Sequence, residues 1–169
     1  MKKLNYMICI ASVFICAVNL QAKATVGPVL TNYGPVYSVK DMDEKLPADF
    51  HFKAVFDVYT TASEADVHSR RLESVARFIN MHAMKGVPLD KISIAVVIHG
   101  KAVKDILHDH KYQQKYQSNN PNKAMIESLS KAGVKFYVCG QTAEYRKYKR
   151  SDILPEVKIA LSAMTQLVI

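Results

Sequence analysis

Two short segments carry the residues best suited to chemistry. VKFYVCGQT (134–142) delivers Cys139, Gly140 and Gln141, and ISIAVVIHGK (92–101) delivers His99 and Gly100. Thiolate is the reactive form of cysteine, and a helix amino terminus just beyond the residue favours it. A nearby imidazole adds hydrogen bonding or positive charge, so Cys139 and His99 together suit nucleophilic sulfur chemistry. Each glycine lets the backbone turn sharply and leaves the approach open. Gly100, Gly140 and Gln141 are therefore candidate ligand-binding positions, as is Asp57, an acid in an otherwise apolar run. The bland alternatives are concrete. A free cysteine is often a small buried hydrophobe, and a strand-end histidine or aspartate can be satisfied by local hydrogen bonds.

Other chemistries find less support. His108 and His110 are two apart on an expected helix, which points them to different sides. With no second cysteine near them, no zinc site is expected. IHGK has one glycine and lacks the pattern of a phosphate-cradling loop. No nucleophile-elbow sequence marks a serine hydrolase. No cofactor or metal is expected.

These residues need elements to position them. KAVFDVY (53–59) is rich in branched and aromatic residues, as a strand requires. Leu72, Val75, Ala76, Ile79 and Ala83 recur at helical spacing, with Gly86 and Pro88 as the stop. ISIAVVI (92–98) is apolar throughout, the mark of a strand covered on both faces. Val103, Ile106 and Leu107 suggest a shorter helix. Asn120 and Pro121 read as the cap and first residue of a helix carrying Met125 and Leu129, closed by Gly133. VKFYVC (134–139) is the next strand, Thr142 can cap another helix, and VKIAL (157–161) precedes a short helix opened by Ser162. Strands alternating with helices predict an α/β domain over 51–169, with a mainly parallel sheet flanked by helices. Ligands of such sheets bind at the carboxyl ends of the strands, where His99 and Cys139 both fall.

Residues 23–50 are broken by Gly27-Pro28, Gly34-Pro35 and Pro47 and read as an extended arm. Residues 1–22 read as a signal peptide: Lys2 and Lys3, an apolar stretch from Met7 to Val18, and small-residue exits between 22 and 24. That stretch is shorter than the ~18 apolar residues of a spanning helix. A periplasmic or otherwise exported protein, without an integral membrane segment after processing, is the expectation. Cys9 and Cys16 leave with the peptide, so Cys139 remains as the sole thiol, without an intramolecular partner. The formal charge of +8 falls by two without Lys2 and Lys3, and much of the excess lies in YRKYKR (145–150). A solvated face is the favoured reading of that run, because no nucleic-acid motif accompanies it.

Taken together, FKAVFDVY (52–59), VARFINMHAMKGVP (75–88), IAVVIHGKAVKDIL (94–107), NNPNKAMIESLSKAGVKFYVCGQTA (119–143) and ILPEVKIALSAMT (153–165) resemble the DsrE/DsrF-like family, specifically its exported single-domain members. GPVLTNYGPVYSV (27–39) is similar to their arm. The resemblance implies a three-layer α/β fold of flavodoxin-like topology, related to sulfur-relay subunits, and assembly as trimers or hexamers. It also implies a persulfide-carrying role that carries over to Cys139, with His99 in a similar HG motif, and a sulfur donor or acceptor protein as partner. A non-catalytic ligand-binding or assembly module with a structural cysteine is the alternative.

Overall fold

The computed structural model describes residues 23–169; the expected signal peptide lies outside the described residues. Four strands form one sheet: β1 (Phe52–Val58), β2 (Ile92–Ile98), β3 (Lys135–Cys139) and β4 (Val157–Ala160). All neighbours pair in parallel, in the order β1-β2-β3-β4. The parallel α/β class expected from the sequence is what the chain adopts. One detail differs from a flavodoxin-like winding: the described strands follow one another without reversal, leaving β1 at an edge.

That order has a consequence for the layers. Right-handed crossovers that step always in one direction place their connecting elements on one face. Helix α1 (Arg70–Met84), a 3₁₀ helix (Gly100–Ile106) and helix α3 (Lys123–Lys131) therefore share one core with the sheet. Leu72, Val75 and Ile79 of α1, Ile106, and Met125 and Leu129 of α3 pack with Val58, Ile94, Val96, Ile98, Phe136 and Val138. The opposite face carries Lys53, Val55 and Asp57, then Ser93, Ala95 and Val97, then Lys135, Tyr137 and Cys139, by the period of two. Its cover is helix α5 (Ala163–Gln166), whose Ala163 packs on Val97 and Cys139. The third layer is this one short helix.

Local chemistry explains the boundaries. Ser69 caps α1 by accepting from the Leu72 amide at 3.4 Å, and Gly86 ends the segment at φ +84°. Three expected helix starts move. Val103 and Ile106 lie in the 3₁₀ helix rather than an α-helix, and α2 (Asp109–Tyr116) follows it. Helix α3 begins at Lys123 with Asn122 as its N-cap residue, because Asn120 is used elsewhere. Its amide donates to the Asp105 and Leu107 carbonyls, at 2.9 and 2.7 Å. Helix α4 (Gly140–Tyr145) starts directly after β3, so Thr142 lies within it rather than capping it. Ser162 does cap α5, accepting from the Thr165 amide at 3.0 Å.

The arm is irregular but anchored. Thr25 and Val36 form an antiparallel bridge. The buried Asn80 of α1 accepts from the Leu30 amide at 3.0 Å and donates to the Leu30, Tyr33 and Gly34 carbonyls. No described helix is long and apolar enough to cross a membrane.

Candidate functional site

The carboxyl ends of β1, β2 and β3 carry the predicted residues on the sheet face that α5 partly covers. Asp57 pairs with Val97 across β1 and β2, and Val97 pairs with Tyr137 across β2 and β3. The last β2–β3 pair is Ile98 with Val138, so His99 and Cys139 both leave the sheet at the same rim. The imidazole turns the other way. His99 Nε2 donates to Asp57 Oδ1 at 2.8 Å, and its ring lies 5.9 Å from that of Tyr59. The structure thus joins Asp57 to His99, and gives His99 no hydrogen bond to the thiol among the described residues.

Cys139 is the N-cap residue of α4 and is 6% exposed. Burial between Val97 and Ala163 pushes the thiol up. The Thr142 hydroxyl, with the Thr142, Ala163 and Gln141 amides, surrounds the sulfur and holds it below its ordinary value nonetheless. Gln141 and Thr142 occupy the second and third helical positions, from which an N-cap side chain normally takes its hydrogen bonds. None of them closes a cap bond of ordinary geometry, so the donors form a loose cradle that favours negative charge on sulfur.

The two glycines act through space and backbone. A Cβ at Gly140 would stand 2.5 Å from the Ala160 carbonyl oxygen, so only glycine lets α4 start so close to β4. Gly100 has φ +58°, and its Cβ would lie 3.2 Å from the Tyr59 carbonyl. Gln141 is exposed; its side chain reaches the Leu161 carbonyl at 3.4 Å while its amide faces the sulfur.

Sequence reasoning missed Thr142 and Ala163 as thiol neighbours. The spacing from Cys139 to Thr142, an N-cap residue and a hydroxyl three positions on, was a readable signal. Ala163 has no local signal, because it arrives from beyond β4. His108 and His110 correct another expectation: His108 lies outside α2 as its N-cap residue, and the two rings stack at 5.7 Å rather than diverging. Even so, no group of three or more metal-ligating side chains occurs among the described residues. YRKYKR is not a uniformly solvated face either. Tyr148 is in the core, and Arg150 donates to the Ile153, Leu154 and Pro155 carbonyls.

Fold and site together define a parallel α/β domain with one buried thiol at the carboxyl end of β3 and the start of α4. The DsrE/DsrF-like family matches residues 53–169, and the chain belongs to that family. Among solved structures, it is similar to the protein of unknown function MTH1491 from Methanobacterium thermoautotrophicum. The identity is 20%, covering 69% of this chain and 88% of that one with a TM-score of 0.51, a likeness of fold. No curated protein matches the chain.

Proposed function

We propose that the protein is an exported sulfur carrier in which Cys139 accepts and presents a sulfane sulfur as a persulfide. The observation that carries this reading is the place of Cys139, the sole described thiol, at the carboxyl end of β3 and the N-cap of α4, where neighbouring donors hold the thiol below its ordinary value although burial opposes them. The transfer balances without an oxidant. The Cys139 thiolate attacks the terminal sulfur of a donor persulfide, a new S–S bond forms at Cys139, and the donor's S–S bond breaks to release a thiolate. Passage to an acceptor thiolate repeats the exchange in the other direction. His99, held by Asp57 at the same rim, serves as a hydrogen-bond partner for the arriving donor. Because α5 overlies the sulfur, donor entry requires that four-residue helix to swing aside. Family membership supports sulfur-relay chemistry, and the composition of residues 1–22 supports export.

A second reading has its own support: an assembly module in which Cys139 only packs. Its sulfur is flanked by Val97 and Ala163, and the sheet face beside it is bare. Val55 is 53% exposed, and Leu161, Met164, Val168 and Ile169 are more exposed still. Further copies of the chain covering this face would build the trimer or hexamer that the family resemblance implies.

Intact-mass analysis after treatment with inorganic polysulfide separates the readings. Wild type is expected to gain sulfur and Cys139→Ser to gain none. Thr142→Val is expected to load more slowly at neutral pH, because losing the hydroxyl moves the thiol back towards its ordinary value. A wild-type mass that does not change, with Cys139→Ser keeping its oligomer mass and thermal stability, overturns the carrier and leaves the assembly module.

A further inference from the structure

A cavity of about 410 Å³ opens at the same carboxyl rim but is lined by neither Cys139 nor His99. Thr60 and Ser63 come from the loop after β1, Lys101 and Lys104 from the 3₁₀ helix after β2, Arg146 from the end of α4, and Tyr116 from α2. Three cations therefore converge from different segments, and no carboxylate lines the space. Like charges gathered in a partly enclosed site repel one another, so an anion between them relieves a standing cost.

Two of the cations are under-used by the protein. Lys104 is buried, yet its ammonium donates to the Tyr112 hydroxyl at 3.2 Å and meets Asp105 only at 3.8 Å. It also lies 5.6 and 5.5 Å from the rings of Tyr112 and Tyr116. Arg146 has a buried Nε–H with no acceptor among the described residues. That Nε–H is itself closed to solvent, so the terminal guanidinium nitrogens are the donors left for a ligand. A planar fork of donors matches an oxyanion with two oxygens to offer, whereas the two lysines act as point charges beside it. Threonine and serine hydroxyls at the opposite wall complete a donor-rich lining. The volume exceeds what a bare ion fills and falls in the range of small-molecule sites, about 300–1,000 Å³.

We propose that this cavity binds the tetrahedral oxyanion head of a small phosphate- or sulfate-class molecule, with Arg146 and Lys104 gripping the head and Tyr116 contacting the body. The site stands apart from the thiol, and its basic residues explain part of the YRKYKR run that a solvated face does not. Arg146 is the specificity-determining residue, and Lys101 at the mouth draws the anion in.

The test is calorimetric titration of the purified protein with inorganic phosphate and with phenyl phosphate, at constant ionic strength made up with chloride. Saturable binding that chloride does not reproduce is expected, and phenyl phosphate is expected to bind more tightly than phosphate. Arg146→Gln is expected to weaken binding about tenfold or more. Lys101→Gln, at an exposed position that leaves the core untouched, is expected to weaken it about threefold. Lys147→Gln, next along the chain but outside the cavity, is expected to leave binding unchanged. Absence of saturable binding by either probe, or equal weakening by Lys147→Gln and Arg146→Gln, overturns the proposal. So does unchanged binding in Lys101→Gln together with Arg146→Gln. Polysulfide loading of Cys139 is read separately, so failure of one site does not register as failure of the other.

Discussion

Replacing Asp105 with asparagine is expected to flatten a specific part of the protein's stability–pH profile. Asp105 is fully buried; Thr61 donates to its Oδ1 at 2.5 Å, and its Oδ2 has no partner among the described residues. Burial raises its pKa from 3.8 to about 6, against the opposing pull of Thr61, Lys104 and Ser69. The folded protein therefore keeps the Asp105 proton up to about pH 6, whereas the unfolded chain releases it near 3.8. Through that window the folded state binds more protons. The contribution is fully present below pH 3.8 and is lost as the pH rises through 6. The gap between 3.8 and about 6 corresponds to about 3 kcal/mol, of which about 2 kcal/mol falls between pH 4 and pH 7. Asparagine keeps an acceptor for Thr61 and does not titrate. Urea unfolding of both proteins from pH 4 to pH 7 is the assay, with the difference between them as the readout. The titrations of Asp109, held low first by the Lys123 hydrogen bond, and of Asp152, held low by the Lys149 amide and Lys111 although burial opposes them, cancel in that difference. The variant is expected to gain on wild type by about 2 kcal/mol across the range, roughly 6 °C in Tm for a chain of this size. Parallel profiles would show that the Lys104 ion pair outweighs burial, and would refute the reasoning.

Two further substitutions test the scaffold. Asn80→Ala removes four hydrogen bonds between α1 and the arm and strands buried amide and carbonyl groups. A loss of about 3 kcal/mol is expected, together with faster proteolysis within 23–50; arm cleavage at the wild-type rate would show that Asn80 does not hold it. Gly140→Ala places a Cβ 2.5 Å from the Ala160 carbonyl and must push α4 from β4. It is expected to cost about 2 kcal/mol and to speed alkylation of Cys139, while unchanged melting would mean that β4 yields without strain.

The sequence made the strands readable because their chemistry is local. Branched and aromatic residues in 53–59, the unbroken apolar run of 92–98 and the alternation in 134–139 each place a strand within a residue or two of its observed bounds. Helix starts were harder, since competing hydrogen bonds decide them. Asn120 has the composition of a cap, but its side chain ties the chain following the 3₁₀ helix to the turn before α3, and the helix begins past it. Thr142 likewise has a capping residue's composition, but β3 runs into α4 without a linker. The layer imbalance was not legible either, because it follows from strand order, which no local pattern encodes.

The thiol shows where local reading stops and what the fold adds. From sequence, Cys139 before a helix start implies one favourable element, the amino end of a helix. Helix α4 is only six residues long and closes no cap bond to the sulfur, so that element by itself is weak. What strengthens it is the return of the chain through β4 into α5, which brings the Ala163 amide to the same sulfur and lays an apolar cover over it. One short helix therefore acts in two opposed directions, turning an amide towards the sulfur and excluding water from it. Exclusion raises the cost of charge, yet it also strengthens each donor that faces the charge. On the proposed carrier reading, α5, which both faces the sulfur with the Ala163 amide and shields it with the Ala163 side chain, is the element expected to set how readily Cys139 reacts.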